Sequence, residues 1–93
     1  MANKISASHI LLKTEEDAKV ALYDVKHGSS FEEVAKERSL CPSKKDGGSL
    51  GWFGRGQMVK EFENAAFSLK KGEVSKPIKT QFGWHIIKVN DAQ

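Results

Sequence analysis

Val74-Ser75-Lys76-Pro77-Ile78-Lys79-Thr80-Gln81-Phe82-Gly83-Trp84-His85-Ile86-Ile87-Lys88-Val89 is the stretch that decides the fold class. It reads as two strand-like segments, 74–78 and 84–89, in direct succession across the turn Gln81-Phe82-Gly83. Pro77 confines the first to an edge or an irregular segment, because proline cannot donate to a ladder. Working back, Met58, Phe62, Ala65, Ala66 and Leu69 form a helical stripe, closed by Lys70-Lys71-Gly72 with its cations at the negative end. Before it, residues 43–56 carry five glycines around a short strand, Leu50 to Phe53. Ser30 with Glu33 opens a helix as a capping box, its apolar face Phe31, Val34 and Ala35, and Cys41-Pro42 ends it. Thr14 caps another, with Glu15, Glu16 and Asp17 in its first turn, the stripe Ala18, Ala21, Leu22, Val25, and Gly28 as its stop. Residues 4–13 are a strand that turns apolar on both faces. The order strand, helix, helix, strand, helix, strand, strand is not the alternation of a doubly wound parallel fold. It predicts a small α+β domain with a largely antiparallel sheet.

Composition narrows the function classes. The chain has 93 residues, 39% hydrophobic and 29% charged, which fits one domain, residues 1–93. Its longest aliphatic run, Ile10-Leu11-Leu12, is far short of the ~20 residues a spanning helix needs. One cysteine excludes an internal disulfide framework and a multi-cysteine metal site. Nothing after Met1 reads as a signal peptide, so the default compartment is the reducing cytoplasm, with export as a mature fragment the alternative. The net charge of +3 is carried mostly by lysine, only Arg38 and Arg55 being arginine. Base readers lean on the arginine fork, so no nucleic acid is expected, and the lysines suit a solvated face with at most weak contact to anionic membrane surfaces.

Three residues bear chemistry where a core is expected. By period-two alternation His9 shares a face with Ala7 and Leu11, and His85 shares one with Ile87 and Val89. Cys41 lies at a helix–loop junction, held extended by Pro42. The plain reading is two hydrogen-bonded core histidines and a buried thiol. A Cys–His nucleophile is the sharper one, but no nucleophile signature surrounds Cys41. No compact ligand pair points to a metal, and no cofactor is expected. Leu50, Met58 and Phe62 can line one apolar pocket or serve as ordinary core. The glycine run lacks the order of a phosphate loop.

Taken together and in order, these segments resemble a family. Ser8-His9-Ile10-Leu11, Ser39-Leu40-Cys41-Pro42-Ser43, Gly47-Gly48-Ser49-Leu50-Gly51-Trp52-Phe53, Gly56-Gln57-Met58-Val59 with Phe62, and Pro77 with Thr80 through Val89 look like a stand-alone parvulin-type peptidyl-prolyl cis/trans isomerase. The resemblance implies an FKBP-like superfold with a four-stranded antiparallel sheet surrounded by about four helices, one short. It implies paired histidines at His9 and His85, with Cys41 in a place where some members have aspartate, and a threonine at Thr80. It places a proline-ring pocket on Leu50, Met58 and Phe62, with Gln57 and Phe82 at its rim. Proline-containing peptides and unfolded chains are the implied partners, of a chain expected to be a monomer. The alternative function is a chaperone-like binding module with little catalysis. Phosphate-directed relatives carry a long basic loop after the first strand. Here Lys13 runs at once into Thr14-Glu15-Glu16, whose charge would repel a phosphorylated residue, so no phosphoserine preference is expected.

Overall fold

The computed structural model describes residues 3–93. The elements are β1 (Lys4–Leu12), α1 (Glu15–Lys26), α2 (Phe31–Arg38), a 3-10 helix (Pro42–Asp46), β2 (Ser49–Gly54), α3 (Lys60–Ser68), β3 (Ile78–Thr80) and β4 (Gly83–Ala92). All pairings are antiparallel and the sheet order is β2-β1-β4-β3. The α+β class and the four-stranded antiparallel sheet expected above are what the chain adopts. Three α-helices and the 3-10 helix surround it.

Both faces of the sheet are buried, which explains why the first strand is apolar on both sides. Ile10, Leu12 and Ile86 pack under α1 and α2 against Ala18, Ala21, Phe31, Val34 and Ala35. Ile5, Ala7, Ile87 and Val89 pack under α3 against Phe53, Phe62 and Ala66. Period two therefore sends residues 5, 7 and 9 of β1 and 85, 87 and 89 of β4 to the α3 side.

Local signals account for most boundaries. Thr14 Oγ1 accepts the Asp17 N–H at 3.1 Å, and Gly28, at φ +114°, follows the end of α1. The Ser30 box is half formed. Ser30 Oγ accepts the Glu33 N–H at 3.4 Å but donates to the neighbouring Glu32 carboxylate at 2.8 Å.

Several boundaries differ from the sequence reading. Pro42–Asp46, expected as loop, is a 3-10 helix that opens with proline in its first turn. Met58 and Val59 precede α3 rather than starting it: the chain turns at Gly56, φ +89°, bends through Met58, and only Val59 at ψ 148° is extended before the helix begins. No cation lies in the last turn of α3, which stops at Ser68 before Lys70-Lys71 is reached. The late strand is Ile78–Thr80, beyond Pro77, while Val74 makes only an isolated bridge to Lys88.

Candidate active site

Register brings the histidines together. In the β1–β4 ladder His9 lies opposite Ile87 and Leu11 opposite His85, so the two imidazoles are diagonal neighbours on the α3 face. Their rings stack with centroids 5.1 Å apart, and Nδ1 meets Nδ1 at 2.9 Å. One proton serves that contact, so one ring donates and the other accepts. His85 Nε2 contacts Thr80 Oγ1 at 2.7 Å, and Thr80 Oγ1 accepts the Phe82 N–H at 3.1 Å. Thr80 can stand behind His85 because β3 turns directly into β4, pairing Thr80 with Gly83. All three side chains are buried.

Burial, and for His9 also the neighbouring His85, lowers the histidine pKa values. His9 falls to about 4, and His85 is lowered by burial. Both rings are neutral at pH 7. Phe62 from α3 stands edge-on to each, at 5.6 Å from His9 and 5.3 Å from His85, so the pair is clamped between strand backbone and an aromatic edge.

The pair forms the floor of a cleft of about 330 Å³. Leu50, Met58, Phe62, Phe82, His9, His85 and Cys41 all line it. Leu11, Leu40, Pro42 and Val59 complete the lining, which holds no Asp, Glu, Lys or Arg. Leu40 and Phe82 are both 62% exposed. Leu40 escaped the sequence reading because no periodicity marks a residue between a helix end and a proline.

Two expected site residues lie outside the lining. Thr80 acts from behind His85. Gln57 is exposed and is not among the lining residues; its side-chain oxygen accepts the Gly54 N–H at 2.7 Å in the turn after β2, next to the lining residue Met58. Cys41 is half-buried rather than fully buried. Among the described residues no hydrogen bond joins its Sγ to either imidazole, so the arrangement lacks the base contact of a thiol nucleophile. No group of three or more His, Cys, Asp or Glu side chains among the described residues is placed to hold a metal ion. No described helix is long and apolar enough to cross a membrane.

Two coupled, neutral imidazoles thus stand against a small apolar cleft. Residues 9–91 match the rotamase family model, described as the PPIC-type PPIase domain. The chain belongs to the parvulin-type peptidyl-prolyl isomerases. It is 56% identical over 91 residues to the foldase protein PrsA of Geobacillus kaustophilus, covering 97% of this chain and 32% of that protein. The parvulin domain therefore spans about a third of the length of the curated relatives it matches. Among solved structures, the PrsA peptidylprolyl isomerase of Bacillus anthracis superposes with a TM-score of 0.96 at 44% identity, over 99% of this chain and 43% of that one. NmPin, the parvulin of Nitrosopumilus maritimus, superposes with a TM-score of 0.88 at 48% identity, over 98% and 99% of the two chains. That match covers nearly the whole of both chains.

Proposed function

We propose that the chain accelerates rotation about X–Pro bonds in peptides and in flexible or unfolded protein segments, without covalent chemistry and without a preference for phosphate. The observation that carries this reading is the contact of an uncharged apolar cleft with the neutral His9–His85 pair.

The reaction needs no more than such a site. An X–Pro bond rotates over a barrier of ~18–20 kcal/mol and takes tens to hundreds of seconds unaided. At the top of the barrier the amide is twisted, its resonance is lost, and less charge sits on the carbonyl oxygen. Leu50, Met58 and Phe62 would grip the ring, and an apolar surrounding favours the less dipolar twisted amide over either planar form. A 10⁴-fold acceleration corresponds to roughly 5.5 kcal/mol of such differential binding. Thr80 and His85 hold His9 in place, and Cys41 supplies a polar wall beside the carbonyl.

The chain is read as a monomer working in a reducing compartment, where Cys41 stays a thiol. Its lysine excess is a solvated face with at most loose contact to anionic membranes. The first turn of α1, Glu15-Glu16-Asp17, and the uncharged lining support the absence of a phosphate preference. Exchange spectroscopy on Ala-Pro, Leu-Pro and phospho-Ser-Pro peptides tests the whole reading. Exchange cross-peaks at substoichiometric protein are expected for the first two. Their absence with a folded protein leaves the binding-module alternative, which the exposed Leu40 and Phe82 at the cleft favour. Faster turnover of the phosphopeptide would refute the specificity.

A further inference from the structure

The outer edge of β1 loses its strand partner part-way along. β2 pairs with it as far as Ser49 opposite Ser8, and the Gly48 carbonyl then accepts the His9 N–H at 2.9 Å. Beyond that point Leu11 still offers an N–H and a carbonyl, and an unmet buried backbone group is costly. The segment leaving α2 meets both. Leu40 donates its N–H to the Leu11 carbonyl at 2.8 Å, and Ser39 Oγ accepts the Leu11 N–H at 3.0 Å. The same Ser39 oxygen accepts the Cys41 N–H at 3.3 Å. One hydroxyl, on a residue only 3% exposed, therefore ties together the amides of two cleft-lining residues from separate parts of the chain. Leu40, a third lining residue, lies between them. Ser39 itself does not line the cleft.

We propose that Ser39 is a positioning residue of the site, using its hydroxyl as a substitute strand partner that sets the wall Leu40–Cys41 against the Leu11 end of β1. This rests on the isomerase reading only for its effect on turnover. Ser75 provides an internal control. It is also buried and its Oγ accepts the Ile87 N–H at 3.0 Å, yet the bond joins no cleft residue. A merely structural serine would behave as Ser75 does.

The test compares Ser39→Ala, Ser39→Thr and Ser75→Ala in the whole chain. It reads kcat/KM on an Ala-Pro peptide, the rate of Cys41 alkylation by iodoacetamide, and the thermal midpoint. Ser39→Ala should lower kcat/KM about tenfold, as the loss of one or two modest hydrogen bonds allows. It should also speed alkylation about fivefold, because local opening exposes the thiol. Ser39→Thr, which keeps the hydroxyl, should restore both to within about threefold. Ser75→Ala should lower the thermal midpoint while leaving turnover and alkylation unchanged. The proposal is overturned if Ser39→Ala leaves both readouts within about twofold of the parent, the limit of a weak hydrogen bond, or if Ser75→Ala moves them as much. Should Ser39→Ala not fold, hydrogen exchange in the parent chain decides. The Leu11 and Cys41 amides should be protected to a similar degree, and free exchange at Cys41 would sink the idea. An inactive parent chain would end the isomerase reading, while alkylation and exchange would still judge Ser39.

Discussion

Phe62 is the side chain on which the cleft turns. Its ring meets His9 and His85 edge-on, packs against Phe53 at 6.2 Å, and is 3% exposed while still lining the cleft. Truncating such a ring costs about 3–5 kcal/mol of stability, so its effect on turnover has to be measured well below the unfolding midpoint. Cys41 is different in kind, being half-buried and without a hydrogen bond from its sulfur to either histidine. If it is a polar wall, Cys41→Asp should keep kcat/KM within about tenfold of the parent, since the lost contact is of hydrogen-bond size. Cys41→Ala should lose less than Met58→Ala combined with Phe62→Ala. Complete loss in Cys41→Asp with an intact fold would restore the covalent reading. His9, His85 and Cys41 were legible in the sequence because alternation places the first two on an inward face and proline marks the third. Gln57 and Ser39 were not, because a side-chain amide or hydroxyl can bond any nearby backbone group. Which one it meets is settled by the turn after β2 and by the bare edge of β1.

At the scale of elements, the join between β1 and β2 carries the site, and a glycine makes it possible. A Cβ at Gly48 would lie 2.4 Å from the His9 carbonyl oxygen, with φ at +88°. Gly48→Ala should therefore push the β2 entry away from the histidine strand and cost about 3 kcal/mol or more, combining a backbone clash with left-handed strain. Gly28 also has a positive φ, +114°, but a Cβ there meets nothing within 4 Å, so Gly28→Ala should cost only about 1–2 kcal/mol. Denaturant midpoints of the two variants check the difference, and equal losses would remove the clash from the explanation. The helices show how far patterning reaches. α1 was legible at both ends because a cap and a glycine mark them, whereas the stripe from Met58 to Leu69 overran α3 at both ends. Apolar periodicity reports burial, and Met58, Val59 and Leu69 pack on the core from non-helical backbone just outside the helix.

For the molecule as a whole, the site sets a pH dependence. His9 binds its proton with a pKa of about 4 in the folded chain and 6.5 when unfolded. Between those values the unfolded chain holds more protons, so stability rises with pH. It is fully present above about 6.5 and is lost as pH falls towards 4, and the lowered pKa of His85 acts in the same direction. The His9 shift alone amounts to about 3 kcal/mol, a large share of the roughly 5–14 kcal/mol expected for a domain of this size. Urea midpoints should be flat from pH 8 to 7 and fall steeply between 6 and 4. An NMR titration placing His9 near 6.5 would remove the cause.

The sequence by itself determined the order of the strands and α-helices, the inward faces of β1 and β4, and the caps of α1, because these follow from spacings of a few residues. The family resemblance was legible for the same reason, as short segments in a set order. Only the tertiary structure decided that His9 and His85 share one proton across 76 residues of chain, and that the Gln57 side-chain oxygen accepts from the turn after β2. The same holds for Ser39, which supplies the partner that β1 lacks. Each depends on which backbone group is left unpaired once the sheet has closed, and no local pattern encodes that.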